Sequence, residues 1–224
     1  MKKNPAGYSA VAALTAAPGK GVLVAVLIAA ALWFYMFSPW TAGWPNFWLV
    51  MSISATLLTS IAFALTPDTK ALTKVENPRY QLVMGVVIAI VLWGIFWIGD
   101  KASAWLFDFA RPQVDNVYAM KTGLPTWVIA LLLLFIIGPA EELFWRGYVQ
   151  RTLTRIWNPD LALAVTVAVY TLVHIWSFNF MLIMAALVAG LVWGLIYRLK
   201  PSLLPALVVS HALWDALVFV IIPI

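Results

Sequence analysis

The sequence contains no cysteine and very little charge. The absence of cysteine excludes disulfide bonds and thiolate chemistry, and it leaves the redox compartment unspecified. Only 10% of the 224 residues are charged, whereas a soluble domain carries about a quarter. With 64% hydrophobic residues and a mean hydropathy of +0.94, the chain is predicted to be an integral membrane protein. The net charge is +5. Because the chain has no soluble domain that could present a basic surface, no nucleic-acid partner is predicted.

Apolar runs of membrane-spanning length follow one another along the whole chain. Each is close to the ~20 residues that an α-helix needs to cross a bilayer. The 13 Trp and seven Tyr residues suit the aromatic belts at the two membrane surfaces. No clear cleavage site follows the first run, which is therefore interpreted as a retained helix. We predict one all-α domain, 1–224, a polytopic helical bundle with seven transmembrane helices at about 21–38, 45–66, 82–98, 126–146, 161–178, 180–197 and 203–222.

The distribution of Lys and Arg predicts the orientation of this bundle. With a cytoplasmic N-terminus, 11 of the 14 basic residues fall inside, and only Lys101, Arg111 and Lys121 fall outside. Cytoplasmic loops of membrane proteins carry such an excess. We therefore predict a cytoplasmic N-terminus and, after seven spans, an external C-terminus. The inside set is Lys2, Lys3, Lys20, Lys70, Lys74, Arg79, Arg146, Arg151, Arg155, Arg198 and Lys200.

The longest predicted external stretch, 99–125, mixes aromatic and charged residues. Its segment "KASAWLFDFA" has enough apolar surface to lie on the membrane as a short helix. Interfacial packing is favoured for this stretch, and a lid over a site is the alternative.

Six ionisable side chains lie in or at the end of apolar spans instead of in loops. Both histidines of the chain are among them. Charges are costly and rare in the hydrocarbon of a bilayer, so such residues are functional-site candidates by default. The six are Glu141, Glu142, Arg146, His174, His211 and Asp215.

The motif "GPAEELFWRGY" contains two adjacent glutamates with different predicted roles. Glu142 and Arg146 are four residues apart, so they share a helix face and can form an ion pair. Glu141 is turned about 100° away from Glu142 and remains available for chemistry. Gly138 and Pro139 precede the pair, and the proline is expected to loosen or kink the helix because it lacks a backbone N–H.

The two histidines also lie in helical register with polar partners. His211 and Asp215 are four residues apart, and Tyr170 stands four residues before His174. A carboxylate and a histidine that face one water can make it a nucleophile by general-base catalysis. A second histidine can stabilise the oxyanion that forms on an attacked carbonyl. With no cysteine, and with Ser210 the only serine beside a motif, a water-activating hydrolase is favoured over covalent catalysis.

Each of these features also has a purely structural interpretation. The Glu142–Arg146 pair is more readily structural than catalytic, and His174 alone would fit a packed, hydrogen-bonded histidine. His211 and Asp215 alone would fit a tie between helices. A proton or ion relay uses the same residue types in a membrane. The presence of all three sites in one chain favours a functional centre.

Three ordered motifs resemble those of the CPBP family of intramembrane proteases, also called the Abi family, which includes the CAAX prenyl endopeptidases. "EELFWR" (141–146) matches the family's EExxxR signature. "YTLVH" (170–174) stands where the family has FxxxH, and "HALWD" (211–215) where it has HxxxN or HxxxD. The order and spacing of the three motifs agree with the family, with a catalytic core at about 126–222.

The resemblance implies a glutamate-dependent endopeptidase with its site inside the bundle. By carry-over, Glu141 and His174 would activate the water, and His211 and Asp215 would stabilise the oxyanion. Tyrosine in place of phenylalanine at 170 adds a hydroxyl to the site. Aspartate in place of asparagine at 215 is an acceptor, so it would orient His211 instead of touching the oxyanion. The supporting residues of the motifs would be Glu142, Arg146 and Tyr170.

No obligatory cofactor or metal is predicted. Two histidines and one glutamate would be a plausible ligand set for catalytic zinc, and the zinc alternative would use Glu141, His174 and His211. The chain has no HExxH spacing that would favour zinc.

Three functions remain open from the sequence. The first is an endopeptidase that cuts a membrane-anchored protein or peptide, in the inner (plasma) membrane of a bacterium as a multi-pass protein. The second is a non-catalytic immunity or scaffold protein that binds a peptide or a partner membrane protein. The third is a small proton-coupled transporter, against which stands the lack of an evident inverted repeat.

Overall fold

The computed structural model of the protein describes residues 5–43 and 46–224. Lys2, Lys3 and position 45, which entered the sequence predictions, lie outside these residues. Within the described ranges the chain forms helices and no β-strand. Seven of these helices are long and apolar enough to cross a membrane. The predicted all-α multi-pass bundle is therefore confirmed.

Ten helices follow one another along the described chain, and three of them are too short to span a bilayer. We number them in chain order: α1 (Pro5–Ala16), α2 (Pro18–Phe37), α3 (Phe47–Leu65), α4 (Lys70–Thr73), α5 (Pro78–Leu106), α6 (Ala110–Tyr118), α7 (Thr126–Ile156), α8 (Pro159–Ser177), α9 (Phe180–Leu199) and α10 (Pro201–Ile221).

Asparagine and proline residues mark where several of the helices begin. The side chains of Asn46, Asn158 and Asn179 accept hydrogen bonds from the backbone N–H three residues later, which satisfies donors that a helix N-terminus leaves unpaired. Pro78 and Pro159 occupy the first helical position of α5 and α8, where proline loses no intrahelical hydrogen bond.

Two helices are longer than the sequence predicted by ten residues or more. The segment predicted at 82–98 is 29 residues long in α5, and that predicted at 126–146 is 31 residues long in α7. The interpretation of "KASAWLFDFA" as a separate surface helix is wrong: its first six residues continue α5 to Leu106. No proline interrupts this stretch, and the helix ends where Phe107 turns to an extended conformation. The separate short helix is α6, further along the chain.

The middle of α7 departs from regular α-helical geometry. Residues 138–142 form α-helical turns between two stretches of wider, π-type turns, 133–137 and 143–150. Such widened turns are frequent at functional sites. Pro139 lacks the N–H of one regular turn, so the predicted loosening of this helix is confirmed. From the neighbouring helix, the Thr59 hydroxyl donates to the Ala140 carbonyl oxygen at 3.0 Å.

Glycines let α10 approach its neighbours very closely. A Cβ added to Gly138 in α7 would lie 2.7 Å from the Ala212 Cα, and one added to Gly85 in α5 would lie 2.6 Å from the Val209 Cβ. Small residues at helix interfaces are the usual means by which membrane helices pack. The third sequence motif is on α10, which is held between α5 and α7.

The two ends of the bundle differ in charge. We call them the basic end (65–78, 156–159 and 199–201) and the α6 end (37–43, 106–126 and 177–180). Of the 11 residues predicted inside, Arg146 is instead buried in the bundle, only 1% exposed. Eight others lie at or near the basic end, namely Lys20, Lys70, Lys74, Arg79, Arg151, Arg155, Arg198 and Lys200.

Candidate active site

Glu142 is the centre of a buried polar network that joins α7 to α10. Its Oε1 atom accepts from Arg146 Nη1 at 2.7 Å and lies 2.9 Å from His211 Nδ1. The Glu142 side chain is completely buried. The predicted Glu142–Arg146 pair is therefore present, and it also fixes one ring nitrogen of His211. A carboxylate engaged in this way serves to position its neighbours.

Glu141 points to a different part of the bundle. The only side-chain hydrogen bond that joins it to another described residue comes from the Tyr170 hydroxyl, which donates to Glu141 Oε2 at 3.3 Å. Glu141 is 6% exposed, whereas Glu142 is fully enclosed. The divergence of the two glutamates agrees with the rotation expected from the helix. Glu141 is the carboxylate that is left free for a substrate or a water.

His174 lies in a tight turn at the end of α8, with both ring nitrogens occupied. Residues 173–177 form a 3₁₀ turn. His174 Nδ1 lies 2.8 Å from the Tyr170 carbonyl oxygen, which can only accept, so Nδ1 carries the proton. The indole Nε1–H of Trp33 then donates to His174 Nε2 at 3.1 Å. Trp33 belongs to α2 and is completely buried.

His211 is held between two carboxylates and an indole ring. Its Nδ1 faces Glu142, and its Nε2 lies 3.5 Å from Asp215 Oδ2. The Trp193 ring of α9 stacks on the imidazole with 4.0 Å between ring centroids and 21° between planes. Trp193 is fixed in turn, because its Nε1–H donates to Ser210 Oγ at 3.1 Å. These contacts leave the His211 ring a single orientation.

The carbonyl oxygens of two glycines of α9 accept hydrogen bonds from polar side chains of α7. Arg146 Nη2 donates to the Gly190 carbonyl oxygen at 3.0 Å, and Gln150 Nε2 donates to the Gly194 carbonyl oxygen at 2.8 Å. The Arg146 guanidinium also lies 5.0 Å from the centroid of the Tyr170 ring, a cation–π distance. The four-residue spacing of both pairs keeps α7 and α9 in register beside the site.

A cavity of about 350 Å³ opens beside His174 at the α6 end. Its walls include Phe37, whose ring centroid lies 5.7 Å from that of His174. They also include Ser177, whose Oγ donates to the His174 carbonyl oxygen at 2.7 Å. Phe178 lines the same cavity in the left-handed region, at φ 49°. That conformation is strained for a bulky residue and is found preferentially at functional sites.

The predicted site residues form two connected groups. Tyr170 connects the groups, because its ring packs under the Arg146 guanidinium and its hydroxyl reaches Glu141. No hydrogen bond between described residues joins Glu141 directly to His174. The first group contains Glu142, Arg146, His211 and Asp215, and the second contains Glu141, Tyr170 and His174.

Metal binding would require a closer convergence of ligands. Among the described residues, no group of three or more His, Cys, Asp or Glu side chains is arranged to hold a metal ion. In the described chain, both ring nitrogens of His174 are also taken by protein partners, the carbonyl of Tyr170 and the indole of Trp33.

Sequence reasoning missed Trp33, Gln150 and the glycine pair of α9. The spacing G-x-x-x-G at 190–194 is a recognised signal for close helix packing and would have indicated the α7–α9 contact. No pattern around Trp33 distinguishes it from the other 12 tryptophans. Its role depends on the approach of α2 to the end of α8, which only the fold establishes.

A buried carboxylate outside any described ion pair and two oriented histidines, within a bundle of membrane-length helices, are features that suit an intramembrane hydrolase. Residues 123–217 match the family described as type II CAAX prenyl endopeptidase Rce1-like. The matched part contains all three motifs, and the resemblance to the CPBP group of intramembrane proteases is confirmed. No curated protein and no solved structure matched the chain.

Proposed function

We propose that the protein hydrolyses a peptide bond in a membrane-anchored protein or peptide, with water activated by Glu141 and His174. The observation that carries the proposal is the separation of roles between the two glutamates. Glu142 is enclosed and bound to Arg146 and His211, whereas Glu141 has only one side-chain hydrogen bond with a described residue, which the Tyr170 hydroxyl donates. A bacterial plasma membrane is the proposed location.

In the proposed reaction, Glu141 takes a proton from a water whose oxygen attacks the scissile carbonyl carbon. His174 orients this water through Nε2, which requires that the Trp33 indole release the nitrogen, because an imidazole has a single lone pair there. The proton held by Glu141 then passes to the leaving amine as the C–N bond breaks. General acid–base catalysis of this kind contributes typically about 10²–10⁴-fold to a rate.

The negative charge of the tetrahedral intermediate is assigned to His211. Because Nδ1–H of that ring donates to Glu142 at 2.9 Å, the proposed role requires the imidazolium form of His211, whose Nε2–H is the donor left for the oxyanion. Asp215 lies beside Nε2 and serves to orient it, since a carboxylate cannot itself donate to an oxyanion. Donors fixed before the reaction stabilise such charge without reorganisation.

The cavity at the α6 end is the proposed approach to these groups. It reaches the turn that carries His174, and its lining contains no Asp, Glu, Lys or Arg side chain. An uncharged substrate segment fits such a lining, because no buried charge would be left unpaired.

The test compares the membrane-protein termini of cells that carry the wild type, Glu141→Gln or no protein. Termini that appear only with the wild type are expected, because the side-chain amide introduced by Glu141→Gln cannot take the proton of water. Glutamine still accepts from Tyr170, so the fold is retained. We expect cleavage to fall at least about 100-fold.

The matched control is Glu76→Gln, which alters an exposed carboxylate remote from the site and is expected to cleave like the wild type. If Glu141→Gln restored the wild-type termini while the deletion did not, a non-catalytic binding role would replace the proposal.

A further inference from the structure

A second, smaller cavity lies at the basic end of the bundle, away from the catalytic motifs. Its volume is about 150 Å³, five times the ~30 Å³ that a water molecule occupies in the liquid. Residues of α1, α2, α3 and α7 form its walls. The polar side chains among them are Thr15, Thr66, Tyr148, Arg151, Thr152 and Arg155.

Two arginines and a tyrosine of this cavity come from one face of α7. Tyr148, Arg151 and Arg155 are spaced by three and four residues, so they follow one another along one side of the helix. This places two guanidinium groups and one hydroxyl on the same wall.

Neither arginine is neutralised by the protein. All nine acidic residues of the chain are at described positions, and none of the ion pairs formed there involves Arg151 or Arg155. Asp68, which follows the cavity wall at Pro67, is exposed and pairs with neither. No direct ion pair with a described residue therefore neutralises either guanidinium group of the cavity.

Tyr148 adds to the cavity wall a hydroxyl that forms no hydrogen bond with a described residue. The side chain is 2% exposed, and its oxygen lies against the first turns of α2, where a Cβ added to Gly21 would be 3.1 Å away. Among the described residues, this hydroxyl forms no hydrogen bond. A buried polar group without a protein partner is normally satisfied by a bound molecule or water.

We propose that this cavity binds a phosphate group, contributed by the headgroup of an anionic phospholipid. Arginine guanidinium groups match phosphate oxygens in a bidentate geometry, and hydroxyls complete such a shell. The cavity lies at the ends of α2, α3 and α7, where headgroups meet a spanning helix. Basic pockets between transmembrane helices bind headgroups of this type. The site does not depend on proteolysis.

The test uses the full-length protein in nanodiscs of phosphatidylcholine alone, with added phosphatidylglycerol, or with inorganic phosphate in the buffer. The unfolding temperature and the phospholipid retained in native mass spectra are measured. Phosphatidylglycerol is expected to raise the unfolding temperature of the wild type. Arg151→Gln is expected to weaken this binding at least about tenfold, since a hydrogen bond to a charged group is lost.

Two further variants separate a bound headgroup from general attraction to the surface. Tyr148→Phe removes a single hydroxyl without removing charge and is expected to weaken binding severalfold. It keeps the proposal testable if Arg151→Gln does not fold. Arg79→Gln, an exposed arginine at the same end of the bundle, is expected to bind like the wild type.

The results of these experiments either identify the source of the bound phosphate or refute the proposed site. If inorganic phosphate alone reproduces the stabilisation, soluble phosphate occupies the site by the same chemistry. If Arg79→Gln weakens binding as much as Arg151→Gln, the lipid is attracted by the charged surface and the site is refuted. A last variant, Arg155→Gln, removes the second arginine of the cavity. If this variant and Tyr148→Phe both bind the lipid like the wild type, the proposed site is also refuted.

Discussion

At the scale of single residues, the two adjacent glutamates separate catalysis from stability. Glu142 joins Arg146 and His211 within the bundle, whereas Glu141 contributes one long hydrogen bond from Tyr170. A substitution at each position should therefore change a different property of the protein, although the residues are neighbours in the chain.

Glu142→Gln is expected to destabilise the fold strongly. Removal of one partner of a buried ion pair leaves the other charge unpaired, which costs about 3–5 kcal/mol. Arg146 would keep hydrogen-bond acceptors in the Gly190 carbonyl and the introduced amide oxygen, but its buried charge would lose the opposite charge that Glu142 supplies. The measurement is the unfolding temperature in detergent, with Glu141→Gln as the matched variant, expected to unfold near the wild-type temperature. Equal stability of the two variants would contradict the assignment of roles.

Trp33→Phe tests whether the indole restrains His174. Phenylalanine keeps an aromatic ring but cannot donate to Nε2, so the nitrogen becomes available to water. We expect the turnover number to rise about fivefold, the factor equivalent to a net hydrogen bond of about 1 kcal/mol. The assay is peptide cleavage under substrate saturation.

The control for this variant is Trp48→Phe. Trp48 is also buried, and its Nε1–H donates to the Met120 carbonyl oxygen at 3.1 Å, outside the site. This variant is expected to leave turnover unchanged. A large loss of turnover in Trp33→Phe alone would show that the indole supports His174 instead of restraining it.

Sequence spacing predicted the contacts within one helix better than the contacts between helices. Helical spacing correctly indicated the Glu142–Arg146 pair and the divergence of Glu141. It suggested Asp215 as the carboxylate that orients His211, but Glu142 lies nearer to that ring, at 2.9 Å against 3.5 Å. Contacts within one helix follow from sequence spacing, whereas contacts between helices depend on their packing.

At the scale of elements, the close contact between α8 and α9 depends on the absence of side chains at two glycines of α9. A Cβ at Gly190 would lie 2.9 Å from the Tyr170 Cδ1 atom, and one at Gly194 would lie 2.8 Å from the Leu163 Cδ1 atom. Neither distance is available to a real Cβ without movement of the neighbouring ring or chain.

Gly190→Ala is expected to displace the Tyr170 ring and thereby disturb its hydrogen bond to Glu141. Overpacking of this kind costs about 1–3 kcal/mol, so both the unfolding temperature and the cleavage rate should fall. Gly94→Ala is the matched control on α5, because a Cβ there would meet no atom within 4 Å. If both variants behaved like the wild type, close packing at Gly190 would not support the site.

Element boundaries were predictable where caps and breakers mark them. The starts of α7 and α9 were predicted at their observed residues, Thr126 and Phe180. The C-terminal ends of α5 and α7 were not, because apolar helices extend beyond the hydrocarbon when no proline stops them.

At the scale of the whole molecule, the charge of the two ends predicts the orientation in the membrane. Since the chain has no cysteine, each introduced cysteine is a unique site for a membrane-impermeant maleimide. Asn116→Cys, on α6, is expected to be labelled in intact cells. Glu76→Cys, at the basic end, is expected to be labelled only after permeabilisation. The reverse pattern would place the basic end outside.

The contact between Gly138 and Ala212 is a point about which α7 and α10 could rotate relative to each other. Because the backbones of α7 and α10 meet there, with 2.7 Å between an added Cβ and the Ala212 Cα, the helices can pivot about this point but cannot approach further. A pivot of about 10° would move Glu142, about 6 Å along α7, by about 1 Å, and Ile156, about 27 Å along it, by about 5 Å. The displacement is therefore small near Glu142 and large at the end of α7 near the membrane surface. We therefore expect a change in bilayer thickness to displace the ends of α7 more than the Glu142–His211 pair.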